Sequence, residues 1–94
     1  MKWSDLRPED LLIFDVSGGS IMDTHLVLST EIHGSISQYV CLTYFRIDHR
    51  VEPWLFSRYY SIASPIQIVR GARLRVLRGG REIFQKLRAE KKVR

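Results

Sequence analysis

The chain has little cysteine, little proline and no long apolar run: one Cys (Cys41), three Pro, and no stretch approaching a membrane span. A single cysteine excludes an internal disulfide framework and fits a reducing compartment. The first residues, MKWSDLRPEDLLIFD, do not read as a signal peptide, because the apolar run is only Leu11 to Phe14 and acidic residues flank it. A soluble, cytoplasmic protein is therefore expected, with no membrane partner. His25, His33 and His49 have no second His or Cys at metal-ligand spacing, so no metal site is expected. Gly18-Gly19 and Gly79-Gly80 lack the spacing and the lysine of a phosphate-cradling loop. No cofactor is expected, and there is no internal repeat or low-complexity segment.

What remains is an ordinary globular composition, 45% apolar and 27% charged over 94 residues, with aromatics that bury large areas. This length makes one domain. We expect a β body over 1–79 and a basic helix over 80–94.

Thr24 to Ile47 reads as a hairpin: THLVLSTEI, a turn in HGSI, then SQYVCLTYFRI. With Gly34 and Ser35 at the turn, His33 pairs with Ile36, and Leu28 falls opposite Cys41. Alternation then places Leu26, Leu28, Thr30, Ile32, Tyr39, Cys41, Thr43 and Phe45 on a core face. His25, Val27, Ser29, Glu31, Gln38, Val40, Leu42 and Tyr44 fall on a mixed face whose apolar end needs a cover.

Around the hairpin, Leu11 to Ser17 is the first strand, and Gly18 to Asp23 a loop. Asp48 to Arg50 is a polar connection, and Pro53 ends any ladder reaching it. Trp54 to Ile62 is a strand by its aromatic content. Ile66 to Val69 and Arg73 to Leu77 form one bent strand or two short ones. Arg81 to Lys92 is a helix with Ile83, Phe84 and Leu87 in one stripe. Five to six short strands with Gly and Pro breaks predict a mainly β fold: a small barrel or a curled antiparallel sheet, with one C-terminal α-helix.

The pattern Leu6-x-Pro8-x-Asp10 before an apolar strand resembles the entrance to SH3-like barrels, where a Gly-Asp turn precedes the first strand. Here Glu9 stands in place of that Gly. The resemblance covers about a dozen residues and implies topology only.

Charge is distributed unevenly. Residues 1–69 hold five basic and eight acidic side chains, net −3; residues 70–94 hold ten basic and two acidic, net +8. In the run R-L-R-V-L-R, Arg73 and Arg75 share one strand face while Leu74 and Val76 point to the core. Arg81, Arg88 and Lys92 share one helix side. Guanidiniums grip phosphate bidentately, so Arg70, Arg73, Arg75, Arg78, Arg81, Arg88 and Lys92 are the candidate phosphate contacts. An outward member of the pair Tyr59-Tyr60 would add a stacking surface. The expected function is a non-enzymatic binding module that contacts nucleic acid or another polyanion. Basic patches also bind acidic proteins, and a charged terminal helix can be merely a solvated one.

Two alternatives stand beside it. One is a protein-interaction or assembly subunit that docks through the helix or a sheet edge, including self-association. The other is a small hydrolase. The segment from Leu12 to Thr30, ending in LVLS, is similar to the first strands of MazF-type toxin ribonucleases, which implies an SH3-like barrel. The loop of that family carries Arg and Pro, whereas SGGSIMDTH has neither, so its cleavage residues do not carry over. Asp23 and His25 are the candidate acid–base pair for such chemistry. Cys41 and His25 fall on opposite faces in the register above, which argues against a thiol nucleophile. The entrance pattern is also similar to that of NlpC-type peptidases, but their nucleophilic Cys precedes this strand and none does here.

Overall fold

The computed structural model describes residues 1–16, 20–45, 52–68 and 71–92. A 3₁₀ turn, Trp3–Asp5, leads into β1 (Leu11–Val16), β2 (Ser20–His33), β3 (Ile36–Phe45), β4 (Trp54–Ser61), β5 (Arg73–Leu77) and the helix α1 (Arg81–Lys92). The strands form one antiparallel sheet in the order β4-β3-β2-β1-β5. The mainly β architecture with one C-terminal helix follows the expectation. Closure into an SH3-like barrel does not: among the described residues β4 and β5 each have one neighbour, and the sheet is open.

Around β1 and the lower half of β2 both faces of the sheet are covered. Leu11 and Ile13 pack with Leu26, Tyr44 and Phe84 under α1. Leu12 and Phe14, one residue out of phase, pack with Leu6, Val27, Tyr39, Cys41 and Ile66 on the opposite side. A strand buried on both faces needs a continuous apolar run, and LLIF is one. The second face is roofed by the N-terminal segment. The Trp3 N–H donates to the Ser64 carbonyl (3.1 Å) and the Ile66 N–H to the Met1 carbonyl (2.9 Å). Trp3 stacks on Tyr60 with centroids 3.9 Å apart.

The β2–β3 hairpin turns at Gly34, whose φ of 64° is the left-handed conformation expected at the first position of a type II′ turn. From His33↔Ile36 to Ser29↔Val40 the register is the one the turn dictates. A β-bulge then intervenes: Val27, not Leu28, faces Cys41. One extra residue inverts every side chain below it. Leu26 and Leu28 therefore lie on the α1 face, while Asp23, His25 and Val27 share the other face with Tyr39, Cys41 and Thr43. This corrects the predicted core face for the lower half of β2.

Two boundaries and one buried position also differ. Ile21 to Asp23, expected in a loop, belong to β2, where a second irregularity falls opposite Phe14 and Asp15. Only Arg73–Leu77 of the last strand region is a strand; Ile66 to Ile68 lie outside any, beside an isolated Lys2↔Pro65 bridge. Within the α1 stripe, Phe84 is buried and Leu87 half-buried, but Ile83 is exposed. The expected connection Asp48 to Arg50 lies outside the described residues.

At the entrance, Glu9 adopts φ 72°, the left-handed conformation for which the resemblance expects Gly. The turn is held by Asp10, whose carboxylate accepts the Arg7 N–H at 2.7 Å.

Candidate functional sites

Of the candidate phosphate contacts, Arg73 and Arg75 lie on β5, Arg78 on the turn after it, and Arg81 and Arg88 on α1. Most are already engaged by carboxylates of the acidic body. Arg73 Nη2 and Arg75 Nε both reach Asp15 Oδ2, at 3.4 and 2.9 Å. The Asp15 side chain is 5% exposed, at the end of β1 beside β5. Arg78 pairs with the buried carboxylate of Asp10. Arg81 forks onto Glu9 through Nε and Nη2, at 3.0 and 2.9 Å, and this hydrogen bonding pushes its guanidinium further up in pKa. Arg88 lies 3.7 Å from Glu52. Arg70 is outside the described residues, and of Lys92 only the backbone is described.

The charge asymmetry of the sequence is thus in large part a folding code. The basic quarter is clamped onto the acidic body, mostly at the N-terminal turn and β1. Arg73 keeps most of its side chain exposed, at 73%, and shares one carboxylate with Arg75, so that pair retains a net positive charge.

The bulge builds a second cluster that sequence reasoning had only half assembled. His25 Nε2 lies 2.7 Å from Asp23 Oδ2, and its Nδ1 lies 2.8 Å from Thr43 Oγ1. A neutral imidazole satisfies this when Nε2–H donates to Asp23 and the Thr43 hydroxyl donates to Nδ1. Asp23 and His25, two residues apart, are both candidates in the sequence. Thr43 was not, because its position opposite His25 follows from the bulge alone. Thr43 has no exposed surface, so its hydroxyl is placed to hold the ring rather than to attack a substrate.

The bulge also puts Cys41 on the same face as His25, contrary to the expected register. Burial pushes the Cys41 thiol up to about 11, which keeps it protonated and unreactive at neutral pH. Among the described residues there is no group of three His, Cys, Asp or Glu that could hold a metal ion.

Asp23 and His25 open onto a shallow cavity of about 200 Å³, lined also by Trp3, Phe14, Arg58 and Tyr60. It adjoins one of about 310 Å³ along Trp3, Tyr60, Ser64, Pro65 and Gln67. Asp23 Oδ1 and Arg58 Nε are buried with no hydrogen-bond partner.

The third feature is the pair of sheet edges, which differ sharply. β5 is short and carries Arg73 and Arg75, both tied to Asp15. Short length and charge are the usual guards of an edge. β4 is longer, and its sequence WLFSRYYS has one charge. Trp54, Leu55 and Tyr59 are 47%, 65% and 62% exposed there. Arg58 does not guard it by standing out: its guanidinium lies 5.4 Å from the Phe56 ring centre, and the residue is half-buried. Of the two tyrosines, Tyr59 is the outward one, and Tyr60 belongs to the stack with Trp3.

No family model, curated protein or solved structure matches this chain. Among the described residues, no helix is long and apolar enough to cross a membrane.

Proposed function

We propose that this protein is a non-enzymatic docking module whose working surface is the outer edge of β4. The observation that carries this reading is the contrast, among the described residues, between a short, charged β5 edge and a longer β4 edge with exposed apolar side chains. An edge strand offers a row of backbone donors and acceptors to a strand from another chain, and side chains beside it supply selectivity. Leu55 and Tyr59 share one face of the sheet and Trp54 lies on the other, so an added strand gains apolar contacts on both sides.

The test is selection of extended peptides from a display library, followed by amide chemical-shift mapping. The expected result is binders that perturb Trp54 to Ser61 and lose affinity at least tenfold in a Leu55→Glu, Tyr59→Glu double variant. Binders that perturb only other elements, or none at all, contradict the reading.

A second reading is contact with a polyanion, favoured by the exposed Arg73 and the positive excess it shares with Arg75. Such contact is driven by phosphate neutralisation, so it weakens steeply with salt. It predicts that labelled RNA or DNA is retained at low salt and lost in an Arg73→Glu, Arg75→Glu variant. No retention at low salt rules it out.

A further inference from the structure

Apart from the sheet edges, the face roofed by the N-terminal segment holds a built cavity. It measures about 200 Å³, and Asp23, Arg58, Trp3, Phe14 and Tyr60 stand in its wall. The wall thus carries one carboxylate and one guanidinium. Arg73, Arg75, Arg78, Arg81 and Arg88 each meet a carboxylate, whereas among the described residues Arg58 meets only the ring of Phe56. Asp23 Oδ2 is held by His25 at 2.7 Å, but Asp23 Oδ1 and Arg58 Nε are both buried without a partner.

The register sets the two groups at opposite ends of one face. Asp23 pairs with Phe45 and Arg58 with Tyr39, six residues apart on β3. Each leans towards the other. Asp23 is drawn to His25, which faces Thr43, and Arg58 lies over Phe56, which faces Cys41. Trp3, Phe14 and Tyr60 give the space between them aromatic walls.

We infer that this cavity binds a small zwitterion: an ammonium at one end, a carboxylate at the other, and an apolar planar body between them. Asp23 takes the ammonium. Arg58 takes the carboxylate, for which a guanidinium has the matching fork. A small turn of each side chain brings Oδ1 and Nε from just beneath the wall onto the ligand, and both gain the partner they lack. The aromatic walls suit a planar apolar body. The same two charges disfavour simpler ligands. A lone cation meets Arg58, and a lone anion or a polyanion meets Asp23, in a partly desolvated site where an unmatched charge is costly. The volume admits a single-ring molecule, and the adjoining cavity of about 310 Å³ along Tyr60, Ser64 and Pro65 leaves room for a longer one.

Titration followed by amide and indole chemical shifts tests this with three probes. 4-(Aminomethyl)benzoate carries both charges; benzylamine and 4-methylbenzoate carry one each. The zwitterion is expected to perturb the Trp3 indole and the amides of Asp23 and Arg58. It should bind at least about tenfold more tightly than either half, because a charge-assisted contact is worth about that factor. Two variants assign the ends. Asp23→Asn should weaken the zwitterion and benzylamine by about tenfold or more and spare 4-methylbenzoate, and Arg58→Met should weaken the zwitterion and 4-methylbenzoate and spare benzylamine. The comparison of probes on the wild type decides the matter even if a variant melts early. A zwitterion that leaves the cavity residues unperturbed up to its solubility limit overturns the inference. Either half binding as tightly as the whole overturns it too.

Discussion

At the scale of single residues, Asp10 and Asp15 matter more than any arginine of the basic quarter. Each is a buried carboxylate that receives guanidiniums from the far end of the chain. Asp10 also accepts the Arg7 N–H, which ties the entrance turn to the strand after it. Removing Asp10 costs a hydrogen bond and a partly buried ion pair, while Arg78 can turn to water. We expect Asp10→Ala to lower stability by about 1–3 kcal/mol in urea unfolding. Arg78→Ala strands a buried carboxylate and should cost a similar amount. The double variant should cost clearly less than the two singles together, because they remove one shared interaction. Strict additivity would mean that the pair does not couple β1 to the C-terminal quarter.

Cys41 gives a pH-dependent check of the same core. An unfolded thiol titrates near ~8.5, and burial raises the native one to about 11. Above the unfolded value the unfolded chain has lost a proton that the native state still holds, so stability falls as pH rises. Between about pH 8.5 and 9.5 the loss approaches ~1 kcal/mol. It should vanish in Cys41→Ala, and a slope that persists in that variant would assign it to other groups. Charge totals along the chain were legible in the sequence, but their pairing was not. Arg73 and Asp15 are far apart in sequence, and only the β1–β5 register brings them together.

At the scale of elements, the strands and the helix were legible because each has a local signal: the turn at Gly34, the aromatic run of β4, and the Phe84–Leu87 stripe of α1. The bulge in β2 has no such signal. Ser29, Leu28 and Val27 continue a plausible alternation, and only the cores on either side decide which residue is extra. The apolar run LLIF is the clue to a strand covered on both faces, but a short apolar run alone does not separate that from a strand covered on one. The consequence is testable by deletion and insertion. Without Leu28, Val27 directly precedes Ser29 and keeps its place opposite Cys41, so the lower half of β2 holds the same faces with no bulge. We expect the deletion to cost about as much as Leu28→Ala, which keeps the bulge and trims a half-buried side chain, at about 1–2 kcal/mol, below the cost at a fully buried site. An alanine inserted between Leu28 and Ser29 would shift the lower half by one more residue, turning His25 and Val27 toward α1 and Leu26 away from it, and we expect it to cost at least about 4 kcal/mol, in the range of severe lesions. Equal losses for deletion and insertion on thermal unfolding would show that register is not what sets the faces. The Asp23–His25–Thr43 cluster belongs to this scale too. It exists only because the bulge aligns His25 with Thr43.

At the scale of the whole molecule, most of the basic C-terminal quarter is tied into the architecture, and the docking surface proposed above lies at the opposite edge of the sheet. Composition pointed to the arginines because unpaired charge and paired charge look alike in a sequence. Arg73, Arg75, Arg78, Arg81 and Arg88 are set against Asp15, Asp10, Glu9 and Glu52, and among the described residues β4 is the edge with exposed apolar side chains. The most direct measurement is amide hydrogen exchange of the two edge strands with and without an extended peptide selected for binding. Protection across Trp54 to Tyr60 is expected to rise with peptide while that of Arg73 to Leu77 stays constant. Exchange that the peptide leaves unchanged at both edges, or protection that rises at β5 rather than β4, would contradict the docking reading.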